Sequence, residues 1–157
     1  MTELGLDQAR NIQARWKEEV AARIPLPSKR YTSPLTRAMD TCRIQFEDIG
    51  SFPNPVVVFE VSSSYACFFL SSSIPKNCRE ENGVHTCDKR RSRTFISTRF
   101  PKFQVDEGMT EEDELWKTDV RETHEQVAQR AKLVLDHIFE HDTLSNCQCL
   151  FLCVFSF

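Results

Sequence analysis

The chain has 157 residues, enough for one domain with its own core. A formal net charge of −3, with 40% hydrophobic and 27% charged residues, argues against a general nucleic-acid binder and fits an ordinary globular domain. No stretch approaches the roughly 20 apolar residues that span a bilayer, and Met1 leads into an amphipathic segment, not a signal peptide.

In chain order, residues 6–24 read as a helix, because Ala9, Ile12, Trp16, Val20 and Ile24 recur at three and four and form one apolar stripe. Pro25 and Pro27 are expected to stop it. A short strand over 29–32 leads into a second helix over 34–47, with Leu35, Ala38, Met39, Cys42 and Phe46 turned inward. Ser33 suits its N-cap, and Pro34 its first position, where the missing N–H has no partner anyway. Pro53 and Pro55 mark a loop. Val56-Val-Val-Phe59 follows as a strand whose β-branched residues suit a sheet covered on both faces. Thr110-Glu-Glu-Asp113 resembles a capping box with Asp in the last place. A helix over 119–141 follows, with Val127, Ala131, Val134, Leu135 and Ile138 as its core face. Helix, strand, helix, strand is α/β grammar.

Two stretches break it. Residues 61–76 set an apolar cluster between serine triplets without periodicity, and 143–157 are apolar, aromatic and rich in cysteine. Both have the character of translated introns. The tail is too short to span a membrane, and Cys153 is not placed for prenylation. It reads as a partner or membrane contact, with Cys147, Cys149 and Cys153 as palmitoylation candidates, and it predicts poor solubility. Seven cysteines without a secretory signal suggest reduced thiols and a cytoplasmic location. Their spacings match no zinc pattern, and the acidic residues Glu107, Glu111, Glu112, Asp113 and Glu114 read as the negative start of a helix. Neither a metal nor a cofactor is expected.

Chemistry concentrates in two places. Arg37 lies just inside the second helix. Helical side chains lean back toward the N-terminus, so its guanidinium reaches over the free N–H groups of the first turn, where an anion is held. The competing reading is a surface arginine on an amphipathic helix. The stretch from Cys78 to Arg93 is dense in ionisable groups. It reads either as an active-site loop, with Glu80 as a carboxyl acid among cations, or as a solvated charged loop or basic import patch at 89–93. His85 stands alone in that loop, and His124, His137 and His141 fall on the polar side or end of the last helix.

Taken together, these elements resemble a known order. Thr2, Leu4-Gly5 and Gln8-Ala9 are similar to the L-T-x-x-G-x-x-Q-A opening of the histidine phosphatase superfamily, also called phosphoglycerate-mutase-like. Tyr31-Thr-Ser-Pro-Leu-Thr-Arg-Ala38 resembles its S-P-L-x-R-A element, and Cys78-Arg-Glu80 its L-R-E element with cysteine for leucine. Gly83-Val-His-Thr-Cys-Asp-Lys-Arg-Arg-Ser-Arg-Thr94 and Glu111-Glu-Asp-Glu-Leu-Trp116 are similar to a fungal branch.

The resemblance implies an α/β, three-layer fold with a mostly parallel sheet, here incomplete, its first and late strands expected outside this chain. Residues 1–142 would be a partial domain, interrupted by the foreign insert 61–76 and followed by the foreign tail 143–157. It also implies phosphoryl transfer through a histidine, on a phosphorylated small molecule. Arg37 then matches the phosphate-binding arginine and Glu80 the general acid, with Glu81 as the fallback. Lys89, Arg90 and Arg91 become candidate contacts to the rest of the substrate. The family's nucleophile lies in R-H-G and a second histidine in H-G, yet none of the four histidines here precedes a glycine. Two readings follow: a catalytically incomplete member, or a non-catalytic phosphate- or partner-binding pseudoenzyme.

Overall fold

A computed structural model of the chain describes residues 2–60, 86, 89–114 and 116–119, together with 123, 125, 128, 129, 132, 133, 136, 139 and 140. The elements run α1 (Glu3–Ala21), β1 (Arg30–Thr32), α2 (Thr36–Phe46), β2 (Val56–Val58), α3 (Arg93–Arg99) and β3 (Phe103–Val105). The strands form one parallel sheet in the order β1-β2-β3. Parallel neighbours need a crossover, and α2 supplies the one between β1 and β2. This is the α/β architecture expected.

α1 starts where Thr2 caps it, its hydroxyl accepting from the Gly5 N–H at 3.2 Å. Three residues of the anticipated stripe behave unequally. Ala9 and Trp16 are buried, while Ile12 remains 40% exposed. The helix also ends earlier than the prolines require. Ala22 is the C-cap, the Arg23 N–H donates to the Val20 carbonyl, and the Ile24 N–H donates to the Glu19 carbonyl, each at 3.0 Å. This is a Schellman closure, in which the residue after the cap turns left-handed, and Arg23 has φ 62°. A side chain in that conformation costs about 1 kcal/mol that glycine avoids. Arg23→Gly should therefore raise the thermal midpoint by roughly 2–4 °C in a melting experiment.

α2 buries Ala38, Met39, Cys42 and Phe46 as expected, and Leu35 just ahead of it. Two apolar clusters meet on it. Trp16, Cys42, Phe46, Ile49 and Val56 form one. Met39, Val58, Ile96, Phe100 and Met109 form the other. Trp16 and Phe46 lie 5.5 Å apart between ring centroids, and Phe46 meets Phe52 edge-on at 5.3 Å. Each large side chain so buried contributes roughly 1.5–3 kcal/mol. Val56 and Val58 are buried on the same face of β2, while Val57 between them is half-buried. Val56 and Val58 enter the two apolar clusters, so both clusters lie on that face of β2.

Burial also sets the chemistry of Cys42. Loss of water pushes its thiol up to about 12, a rise opposed by the nearby Arg30 guanidinium. Arg30 is itself lowered, burial being the larger influence and Cys42 the opposing one. An unfolded thiol titrates near 8.5, so the folded state holds more protons above that pH. The stabilising effect of the neutral thiol is complete below about pH 8.5 and is lost as pH rises toward 12. At about pH 8, iodoacetamide should leave Cys42 unmodified in the folded chain and label it in urea, as read by peptide mass spectrometry.

Two elements were not legible beforehand. α3 is capped by Ser92, whose hydroxyl accepts from the Phe95 N–H at 3.2 Å. β3 follows from it after the turn at Pro101 and Lys102. Residues 110–113 do not begin a helix. The Glu111 carboxylate accepts from the Thr94 N–H at 3.2 Å, so it serves the start of α3. Hydrogen bonds from Thr94, side chain first and backbone second, hold the Glu111 carboxyl below its usual range. In the last segment the described residues 125, 128, 129, 132, 133, 136, 139 and 140 are helical, with Lys132 paired to Asp136 one turn on. The expected core face of that helix, the insert at 61–76 and the tail at 143–157 lie outside the described residues. No helix among the described residues is long and apolar enough to cross a membrane.

Candidate phosphate site at the carboxyl edge of the sheet

In a parallel sheet all carboxyl ends lie on one edge, the edge where open α/β sheets bind ligands. Here that edge carries Ser33 after β1, Phe59 and Glu60 after β2, and Asp106 after β3. The ladder continues onto it. The Phe59 N–H donates to the Thr32 carbonyl at 3.0 Å, and the Asp106 N–H donates to the Val58 carbonyl at 3.1 Å.

β1 passes through Ser33-Pro34-Leu35 directly into α2. The helix starts two residues later than the sequence suggests, with Leu35 as N-cap and no side-chain cap bond. Ser33 acts within the turn instead, its hydroxyl accepting from the Leu35 N–H at 3.3 Å. The first intrahelical bond runs from the Met39 N–H to the Leu35 carbonyl at 3.1 Å. The N–H groups of Thr36, Arg37 and Ala38 therefore precede Met39, the first intrahelical donor, and point out of the helix start. Arg37 stands at the second helical position and is half-buried. A helix of 11 residues places its positive end there, under a side chain that leans toward it. Backbone donors, helix dipole and guanidinium favour the same negatively charged group.

Glu80 and Glu81, the acid candidates, lie outside the described residues, as do all four histidines. The cationic candidates separate. Lys89 and Arg91 line a cleft of 660 Å³ with Thr86, Arg90, Ser92, Phe95 and Glu112. The Lys89 ammonium sits 5.4 Å from the Trp116 ring centre and the Arg91 guanidinium 5.7 Å from that of Phe95. Both distances suit weak cation–π contacts.

Arg90 departs from its expected place at a substrate. Its side chain is fully buried and pairs with Glu60, Nε to Oε1, at 2.7 Å. Nη1 donates to the carbonyls of Arg91 and Glu111 at 3.1 and 3.2 Å. Nη2 donates to the Thr110 carbonyl and hydroxyl, both at 2.8 Å, and to the Glu112 carbonyl at 2.7 Å. Every nitrogen of the fork is thus engaged inside the fold, because a buried guanidinium must satisfy its donors. Asp113 completes the network: its carboxylate accepts from the Arg90 N–H at 2.9 Å and from the Trp116 N–H at 3.1 Å. Glu60 was not anticipated; the available signal was an acid ending the apolar run Val56-Val-Val-Phe-Glu60. Among the described residues no three His, Cys, Asp or Glu side chains are grouped to hold a metal.

No family model matches the chain, and no solved structure does. Curated proteins do. The chain is 34% identical over 142 residues to "Probable phosphoglycerate mutase" of Arthroderma benhamiae, covering 90% of this chain and 38% of that protein. It is 36% identical over 117 residues to "Phosphoglycerate mutase-like protein 1" of Arabidopsis thaliana, covering 69% and 42%. It is 29% identical over 139 residues to "Phosphomutase-like protein 3" of Candida albicans, covering 88% and 38%. The chain thus spans about two-fifths of the length of these relatives. Similarity sustained across most of the sequence, joined to a parallel α/β fold with Arg37 at the start of α2, places it among them. The chain belongs to the phosphoglycerate-mutase-like family of the histidine phosphatase superfamily.

Proposed function

We propose that this chain carries the arginine half of a phosphate pocket for a phosphorylated small molecule, and that it does not itself turn such a molecule over. The observation that carries this reading is Arg37 in the first turn of α2, at the carboxyl end of β1. There the guanidinium fork and three N–H groups suit the oxygens of a phosphate or of a phosphoryl group in transfer. Lys89 and Arg91, which line a cleft of their own, are the proposed cations for the rest of the ligand, and Glu80 remains the proposed acid that would protonate a leaving oxygen.

In-line transfer to a histidine needs a neutral imidazole facing that phosphate. No position in this sequence matches the family's R-H-G or H-G, which is the basis for proposing a binding role. Loss of a nucleophile typically removes on the order of 10⁶ in rate. With p-nitrophenyl phosphate and several sugar phosphates, the full chain should show no release of phosphate or phenolate above buffer. Turnover that disappears in Arg37→Ala would overturn the proposal.

A further inference from the structure

Lys89, Arg90 and Arg91 alternate: Lys89 and Arg91 are exposed, while Arg90 between them is buried. The chain is fixed on both sides of that middle residue. Its own N–H is bound to Asp113, and its Nη1 holds the carbonyl of Arg91. The side chain also ties this segment to Glu60, at the carboxyl end of β2, and to the carbonyls of Thr110, Glu111 and Glu112. We infer that Arg90 is a positioning residue, which touches no ligand and instead sets the outward presentation of Lys89 and Arg91 to a second anionic group of the ligand. The inference rests on the anion-binding reading above.

The physical case is one of geometry. A planar fork with five N–H donors fixes several carbonyls at once, whereas an ammonium offers three donors on a flexible stem. Lysine at position 90 would keep the charge beside Glu60 and lose the simultaneous hold on residues 91 and 110–112. The cleft wall that those residues form would loosen. The cations at 89 and 91 would then pay more ordering entropy on meeting a ligand. Glu112 also lines the cleft, so an anion is favoured there only while both cations face it.

Titration of the full chain with inorganic phosphate and with pyrophosphate, by calorimetry, tests this. Pyrophosphate carries the second anionic group. Arg90→Lys should raise the pyrophosphate Kd about tenfold and leave the phosphate Kd within about twofold. Lys89→Ala with Arg91→Ala should produce a similar loss. Adding Arg90→Lys to that pair should then cost nothing further, because a residue acting through its neighbours is not additive with them. Glu60→Gln keeps an acceptor for Nε, and should show the same pattern in weaker form if the lysine variant fails to fold. An additive loss, a loss for phosphate equal to that for pyrophosphate, or no loss at all would overturn the inference. Wild-type protein that binds pyrophosphate with the Arg90 pattern but no phosphate would reject the Arg37 site alone; binding neither rejects both.

Discussion

Arg90→Met is expected to lower the unfolding free energy by about 3–5 kcal/mol. The methionine fills much of the volume but abandons Glu60, whose side chain is 3% exposed. A carboxylate at that depth has little water to replace the charge-assisted bond it loses, from Nε at 2.7 Å. The carbonyls of Glu111 and Glu112 and both oxygens of Thr110 lose a donor at the same time. Against these terms stands only the release of a guanidinium from burial. In a chain of this length a change of that size moves the thermal midpoint down by roughly 10 °C. Urea unfolding should show a lower midpoint with an unchanged slope. Replacing both partners, Glu60→Leu with Arg90→Met, should recover part of the loss, since it leaves no orphaned charge. A single variant as stable as the parent would show that the pair is not buried as described.

Arg37→Ala is expected to behave in the opposite way: a large change in binding and a small one in stability. The side chain is half-buried at the surface of α2, and the core beneath it is built from Ala38, Met39 and Cys42. Alanine keeps the helix, having the higher propensity. A charge-assisted bond to an anion contributes about 1.5–3 kcal/mol, so the affinity for inorganic phosphate should fall roughly 10- to 100-fold. Arg37→Lys keeps the charge without the bidentate fork and should fall between the two. Equal phosphate affinity in all three proteins would remove Arg37 from the site.

The parts of this fold that could be read from the sequence were those with long local periodicity. Ala9 and Trp16, and Ala38, Met39, Cys42 and Phe46, recur at helical spacing and are buried as that spacing requires. Arg37 was legible because the turn before it carries its own chemistry. Even there the register slipped: Ser33 has the hydroxyl of a cap, but it stands two residues ahead of the actual N-cap, Leu35, and accepts from the Leu35 N–H. β3 is three residues long and α3 seven, too short for a period to show. The acidic run at 107–114 misled for a different reason. Its charge does complement a helix start, but Glu111 meets α3, which precedes it in the chain. Long-range pairing of this kind leaves little local trace; for Glu60 and Arg90, 30 residues apart, the sequence offered only an acid at the end of an apolar run.

Whether a phosphate is held at the start of α2 can be read by amide chemical-shift mapping of the 157-residue chain. With inorganic phosphate raised to about 50 mM, a range that detects millimolar affinity, the N–H signals of Thr36, Arg37 and Ala38 should move together along one saturating curve. The same titration of Arg37→Ala should move them weakly or not at all. Saturable shifts confined to other residues, or identical curves for the two proteins, would contradict the account.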